Sequence, residues 1–443
     1  LKKQATILFL TLTMAVMICG VTSAATTYQV GPDPSDDFPT ISQAITAATD
    51  GDTIQVNPNN GNPYIETVDV THDLTIIANG EVTVQKPDSA IRAFLISNPG
   101  SGSTIQGFNI IKTDAPMVDT GIEFNFADNC NIINNRIIGF ATGIGGPGND
   151  NNFISGNTIT SGPNAGGWSY GIDMWGDCSN NHIKYNHINS QATGTGNSVG
   201  IAFYLNPTAT GNQVIGNSIT PTTTGTGLLQ GILISSSGNT INFNRIIANT
   251  AIIAQLGSTI DALYNWYGSN DNPVSKISGA NINYNPWLVM TVAASPVTIL
   301  NGGTSTISVD FRHDSAGGVH DPLFGHFPDD VGVLITSTGG EVGSFSITAL
   351  TIDGVVTTLF RATQGSGTGT AAGSLDSQDP LSVNINILST SVNSAYTGVN
   401  AASTTGINAV SNSLGMPNTG GYMVGTILAV LMILSGLVLP NKT

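Results

Sequence analysis

Between residues 100 and 270 the apolar positions of the chain recur in a short fixed phrase. The run Asn152-Phe-Ile154-Ser-Gly-Asn157-Thr-Ile159 returns as Asn181-His-Ile183-Lys-Tyr-Asn186-His-Ile188, as Asn212-Gln-Val214-Ile-Gly-Asn217-Ser-Ile219 and as Asn239-Thr-Ile241-Asn-Phe-Asn244-Arg-Ile246. An earlier copy, Cys130-Asn-Ile132-Ile-Asn-Asn135-Arg-Ile137, has cysteine in the first slot, and weaker copies begin at Ser103 and Ser258. Upstream of the full copies stands a Gly-Ile pair, at Gly121-Ile122, Gly143-Ile144, Gly171-Ile172, Gly200-Ile201 and Gly231-Ile232. Each unit therefore offers two or three short β-runs cut by glycine, asparagine and serine, with no helix-period segment between them. One unit alone buries little. Stacked units align their isoleucines into one continuous core, and the unequal spacing of the copies becomes loops of different size. Asparagines kept at one slot then stack, each side-chain amide bonding the turn of the next coil. That assigns Asn152, Asn157, Asn181, Asn186, Asn212, Asn217, Asn239 and Asn244 to a ladder. The pattern predicts a right-handed parallel β-helix.

The segment ahead of the repeats fits the same design. In Phe38-Pro39-Thr40-Ile41-Ser-Gln43-Ala44-Ile45-Thr-Ala-Ala48 the apolar residues fall at helical spacing, and Thr40 with Gln43 forms a capping box. An amphipathic helix here would plug the open end of the stack, which otherwise exposes strand edges and core. Thr53-Ile54-Gln-Val56, Val68-Asp-Val70 and Leu74-Thr-Ile76-Ile77 read as the first coils.

Two end signatures enclose these repeats. They are Phe38-Pro39-Thr40-Ile41 with Gly51-Asp52-Thr53-Ile54 and Tyr64-Ile65-Glu66, and Asn265-Trp266-Tyr267-Gly268 with Asn283-Tyr284-Asn285-Pro286-Trp287-Leu288. Together the three resemble the right-handed β-helix "adhesin-like" cell-surface proteins of methanogenic archaea, over roughly residues 27–290. The resemblance implies a surface role and brings no catalytic residues with it.

After Val289 the period changes. Alternating runs such as Thr304-Ser-Thr306-Ile-Ser308-Val-Asp310-Phe, Val331-Gly-Val333-Leu-Ile335, Val355-Val-Thr-Thr-Leu359-Phe360 and Leu381-Ser-Val-Asn-Ile385-Asn-Ile387 are separated by Gly- and Ser/Thr-rich turns. About seven strands in some 100 residues suit an immunoglobulin-like sandwich without the Cys…Trp…Cys core. Similar modules follow the β-helix in the surface proteins just named.

The two ends place the chain. Lys2 and Lys3, the apolar stretch Ala5 to Val21 and the small-residue exit Thr22-Ser23-Ala24-Ala25 describe a secretory leader. Gly421 to Pro440 is uncharged and mostly apolar, and as a helix would be about 30 Å long, the thickness of a bilayer core. Just before it, Met416-Pro417-Asn418-Thr419-Gly420 resembles a sortase-type sorting signal, with Met416 where leucine is usual. The expected organisation is a signal peptide at 1–24, the β-helix with its capping helix at 25–288 and the immunoglobulin-like sandwich at 289–389. A Ser/Thr/Asn-rich stalk at 390–415 and a sorting-like motif with a transmembrane anchor at 416–443 follow.

Composition narrows the partners. Only 9% of residues are charged, against about 25% in ordinary soluble domains. Twelve Lys and Arg against 28 Asp and Glu give a net charge of −16, a surface that repels phosphate backbones and excludes nucleic-acid binding. Of the three cysteines, Cys19 leaves with the leader; Cys130 and Cys178, two coils apart, are too distant for a disulfide and read as free thiols. No Asn-x-Ser/Thr acceptor precedes Asn441.

Catalysis has to be weighed on residues, since parallel β-helices also carry sugar-cleaving enzymes. Glu123 and Asp173 occupy the same Gly-Ile-x slot two coils apart, about 9–10 Å from two coil rises. That is near the upper edge of the carboxylate spacing of inverting glycosidases, about 6.5–9.5 Å. Trp175, His182, Lys184, Tyr185 and His187 are the ligand-binding candidates near them. Against this, outward acids on alternating strand positions arise without function, and neighbouring coils put Ala202 and Leu233 in the slot. No metal-ligand spacing is diagnostic. His313, His320 and His326 with Asp314, Asp321, Asp329 and Asp330 read as a solvated loop, and Asp33, Asp36 and Asp37 could take Ca²⁺ but are equally turn chemistry. No cofactor is therefore expected.

The expectation is a non-enzymatic cell-surface protein presenting a β-helix rod to extracellular polysaccharide, wall polymer or other cells, held to the membrane by its C-terminal helix and open to a sortase-like enzyme. Loops 161–170, 190–199 and 221–228 make the long steps and are its expected contact surfaces. A carbohydrate-active lyase, hydrolase or epimerase using Glu123 and Asp173 is the rival class, and a structural envelope component without a specific ligand is the third.

Overall fold

A computed structural model of the chain describes residues 24–204, 208–343 and 345–389. The expected leader up to residue 23, the stalk, Met416–Gly420, the C-terminal span and Asn441 lie outside the described residues. Among the described residues no helix is long and apolar enough to cross a membrane.

Residues 27–283 wind as a parallel β-helix. Each full coil contributes in turn to three sheets. The first has eleven strands, from Thr27–Val30 to Asn281–Asn283; the second runs from Tyr64–Ile65 to Arg245–Ile246; the third, nine-stranded, runs from Val68–Val70 to Ile277–Ser278. All their strand pairs are parallel, and the repeat stays in register, Ile132 beside Ile154, Ile154 beside Ile183 and Ile183 beside Val214. The same holds in the second sheet for Ile137, Ile159 and Ile188, and in the third for Ile122, Ile144, Ile172 and Ile201. These columns are buried and fill one core, each side chain worth about 1.5–3 kcal/mol of burial.

The Gly-Ile pairs have a steric origin. A Cβ on Gly171 would lie 2.5 Å from the carbonyl oxygen of Gly200 in the next coil and 2.2 Å from a methyl of Ile188. Gly121, Gly143, Gly200 and Gly231 meet the same two obstacles. Glycine is thus required where the third sheet turns closest to the second.

The corners carry the asparagines. Between the first and second sheets the backbone N–H groups of Asn135, Asn157, Asn186, Asn217 and Asn244 donate to Oδ1 of Asn157, Asn186, Asn217, Asn244 and Asn265 at 2.8–2.9 Å. Before the first sheet, Cys130, Asn152, Asn181 and Asn212 donate likewise to Asn152, Asn181, Asn212 and Asn239. Asn135 and Asn265 lengthen the second row beyond the eight residues of the repeat phrase. Cys130 and Cys178 are buried and unbridged.

At the N-terminal end α1 (Ile41–Ala47) caps the stack. Thr40 Oγ1 accepts from Gln43 N, Glu66 accepts from the N–H groups of Ile41 and Ser42, and Ile41, Ala44 and Ile45 enter the core.

At the other end Leu288–Ser295 begins a sandwich of a four-stranded and a five-stranded sheet. Nine strands stand where the sequence suggests about seven. The extra ones include Gly340–Val342 and Gly367–Ser374, whose small residues give little strand signal. Ile307, Val309 and Phe311 meet Val333, Ile335, Ala371 and Ile385 between the sheets. This core also takes in Phe243 and Trp266 of the last coils. Trp266 Nε1 donates to Asp376 at 2.8 Å, Arg245 pairs with the same carboxylate, and Trp266 meets Phe311 edge-on at 5.3 Å. Rod and sandwich are one packed unit there.

Candidate functional site

In mid-rod the third sheet has its longest strands, Ser169–Trp175 and Ser198–Tyr204. Ile172 and Met174 point into the core, so Asp173 and Trp175 belong to the outer face. Register sets Glu123 beside Gly145, Gly145 beside Asp173, Asp173 beside Ala202 and Ala202 beside Leu233. Asp173 thus has glycine on one side and alanine on the other. A Cβ on Gly145 would lie 2.1 Å from the carbonyl oxygen of Asp173, so nothing larger fits there.

The flanking columns are bulkier. On one side Thr142, Tyr170 and Val199 run in register; on the other Pro147, Trp175 and Tyr204 do. Trp168 extends the first flank, its ring stacked on Tyr170 at 6.3 Å and 13°. It belongs to one of the long-step loops. In register, then, a buried strip of small residues runs between two columns of larger, partly aromatic ones, a trough in outline with one carboxyl group in its floor.

That carboxyl group is unusual. Asp173 is 5% exposed, its Oδ1 is buried without a hydrogen-bond partner, and no ion pair to it exists among the described residues. Burial alone pushes its pKa up to about 7. Burial and then the Asp173 charge push Tyr204 up to about 12 and raise Tyr170 as well. A buried acid shifted by desolvation, with no charge partner, is a physical marker of a candidate functional site.

Glu123, in the same column, has another environment. Arg92 Nε lies 3.1 Å from its Oε2, and the pair is partly exposed. Burial raises the Glu123 carboxyl and the Arg92 charge opposes that rise. Asp173 is not the solvent-facing acid that the alternating pattern suggests: it is buried, and its charge is felt by the phenols of Tyr170 and Tyr204.

The five ligand-binding candidates do not form one surface. Trp175 alone joins Asp173. His182 and Lys184 lie on the first sheet, where burial lowers both and Lys184 lowers His182 further. Tyr185, at the corner with φ 56°, stacks at 5.0 Å on His326 of the sandwich. His187 lies on the second sheet beside Asp329 and Asp330 of the sandwich, lowered chiefly by burial. One coil carries its side chains to three faces, which sequence proximity hides. Tyr170, Tyr204 and Trp168 went unmarked, yet a signal existed. Tyr170 stands one residue before the Gly-Ile pair, and Trp175 and Tyr204 each stand three after its isoleucine.

The loop histidines are not simply solvated. His320 Nε2 is 2.9 Å from Asp314, and single atoms of His326, Asp329 and Asp353 lie within 4.8 Å of one another. Asp33, Asp36 and Asp37 each accept a backbone N–H of their own turn region, from Ser35, Asp33 and Gln29.

Residues 46–288 match the protein family described as "Periplasmic copper-binding protein (NosD)". Among curated proteins nothing matches. Solved structures that are similar include the pectate lyase Pel9A, at 12% identity over 62% of this chain and 76% of that one, with a TM-score of 0.42. The pectin methylesterase of Aspergillus niger is similar at 12% identity, 60% and 88% coverage and a TM-score of 0.34. The enzymatically active domain of tailspike protein 2 from bacteriophage CBA120 is similar at 12%, 80% and 73%, with 0.35. None of their chemistry is carried to this chain.

Proposed function

This chain belongs to the NosD family of parallel β-helix proteins, and from that premise we propose that it is an exported surface protein whose rod binds glycan in the third-sheet trough. The observation that carries the reading is the aromatic trough itself, Trp168, Tyr170, Trp175 and Tyr204 around Asp173. Rings of this kind offer flat apolar faces with polar tips, suited to stacking on sugar rings while hydroxyls find partners. Spacing along the rod is about 4.8 Å per coil, so an extended polymer can lie across several coils. The long-step loops border the trough where the third sheet begins. The family's description names the periplasm, which supports export. The adhesin-like surface role, the immunoglobulin-like character of the sandwich, the stalk, the sorting-like motif and the anchor are parts of this proposal.

Copper, also named in that description, is not part of it. Copper sites converge imidazole, thiolate or thioether donors. Within the matched segment His72, His182 and His187 lie on separate faces. Burial pushes the Cys130 and Cys178 thiols up to about 12 and about 11, which keeps them protonated. The converging group among the described residues, His326 with Asp329 and Asp353, lies outside that segment.

A second reading rests on Asp173 as well. A carboxyl group protonated near neutral pH is a proton donor of the kind glycosidic cleavage uses. The purified full chain on a panel of wall and plant polysaccharides, scored for binding and for released sugar, separates the two. Binding without release is expected, and Trp175→Ala should weaken it several-fold. Released sugar, abolished by Asp173→Asn, would replace the binding reading with the enzymatic one; no binding at all would remove the first.

A further inference from the structure

Resting on the glycan reading, we infer that the trough selects polysaccharides carrying free amino groups, amino sugars in their ammonium form, over neutral or uronic-acid polymers. The argument starts from what surrounds Asp173. Its carboxyl group is almost wholly withdrawn from water, with an oxygen that nothing in the described residues satisfies. A buried acceptor left this way costs stability, about 1–3 kcal/mol or more for a charged group, and the protein keeps it in the floor of a surface trough rather than in the core.

The walls point to the same ligand charge. Trp168, Tyr170, Trp175 and Tyr204 present ring faces, whose quadrupoles attract cations. Over these three coils no Lys, Arg or His stands in the columns Gly145–Asp173–Ala202, Thr142–Tyr170–Val199 and Pro147–Trp175–Tyr204; the Thr142 column reaches Arg92 two coils further toward the N-terminal end. The guanidinium of Arg92 is engaged by Glu123. A uronate brought here would meet an acid and four rings with no counter-charge. An ammonium group would supply the missing hydrogen bonds to Asp173 and lie against the rings. The whole chain, at −16, draws a cationic polymer and repels an anionic one.

Direct titration binding on the full chain tests this with three oligosaccharides of equal length, one of glucosamine, its fully N-acetylated counterpart and one of uronic acid. The glucosamine oligomer should bind about tenfold tighter than the acetylated one, the uronate weakest, and Asp173→Asn should erase the preference. That change removes a buried charge and keeps the shape, so folding is not at stake. A second measurement needs no variant. The titratable groups facing Asp173 are the phenols of Tyr170 and Tyr204, which keep their protons at neutral pH. Ammonium binding at about pH 6 should therefore release close to one proton, from Asp173, read by calorimetry in two buffers of different ionisation heat. Equal affinity for the acetylated and free-amine oligomers, or tighter uronate binding, would overturn the amine assignment and leave the glycan reading standing. Failure of all three to bind would overturn the glycan reading beneath it.

Discussion

Asn186 and Asp173 lie in adjacent coils, both buried and both polar, and the protein treats them in opposite ways. Asn186 accepts from the backbone and side-chain amides of Asn157 at 2.9 and 3.0 Å, and its own amide donates to Ile154, Lys184 and Asn217. Asp173 has no such partner. Lys86 stands with Asn186 in this respect. Its buried ammonium group donates to the carbonyls of Pro87 and Ala90 and to the carboxylate of Asp114. The corners and the Lys86 ammonium are closed in this way, as buried hydrogen-bond networks require. Among the described residues four buried oxygens lack a hydrogen-bond partner, on Asp114, Asp173, Asn242 and Asp261, and of these four residues only Asp173 is almost wholly withdrawn from water.

The sharpest way to break that contrast is to open the ladder. Asn186→Ala strands the backbone N–H of Asn157 in the interior and removes four further bonds, although the Asn157 amide keeps Ile132 and Ser155 and the Lys184 carbonyl keeps Gly156. With about 1–3 kcal/mol for the stranded donor and about 1 kcal/mol for each other bond, a loss of about 5 kcal/mol is expected in chemical denaturation. Protection of the Asn157 amide against hydrogen exchange should fall with it. A loss below about 1 kcal/mol would mean that the ladder is not what holds the corner.

Asp173 should respond in the other direction. Its folded pKa, about 7, lies above the ~3.9 of an unfolded chain, so between these values the folded protein holds a proton that the unfolded one releases. The stability it contributes is complete below about pH 4 and is lost as pH rises through 7. The gap between these two values corresponds to at most about 4 kcal/mol. Asp173→Asn should flatten this slope, leaving the variant more stable than the parent at about pH 8 and little changed at about pH 4. Parallel pH profiles for the two proteins would show that the carboxyl group is paired after all.

Legibility in the sequence divides along the same line. The ladder and the isoleucine columns repeat because each coil meets the same steric and hydrogen-bonding demand, and repetition is what sequence displays best. The parallel β-helix followed from it. So did the register that puts Glu123, Gly145 and Asp173 in one column. The trough is built once, from Trp168, Tyr170, Trp175 and Tyr204, and a feature built once has no repeat to announce it. Its neighbours in sequence misled for a geometric reason. His182, Tyr185 and His187 share a coil with one another but turn to other faces, and the last two meet residues of the sandwich. The columns flanking Asp173 take their rings from two successive coils, which no single repeat contains.

Glu123→Gln tests the smallest difference, that between two carboxylates in one column. Glu123 is partly exposed and has Arg92 at 3.1 Å, so it is a surface ion pair in every physical respect. Such pairs contribute about 0–1 kcal/mol, because solvent screens the attraction and ordering two long side chains opposes it. The substitution should therefore cost less than about 1 kcal/mol, and the effect should shrink with added salt. Burial raises its carboxyl while Arg92 opposes the rise, so no large pH dependence is expected from this position. Ligand binding should survive, since Gly145 separates Glu123 from Asp173 and no aromatic side chain stands beside it in register. If Glu123→Gln instead weakens binding as much as Asp173→Asn, the two carboxylates act as a pair across Gly145. The geometry of paired acids, rather than the isolation of one, would then be the meaning of the column.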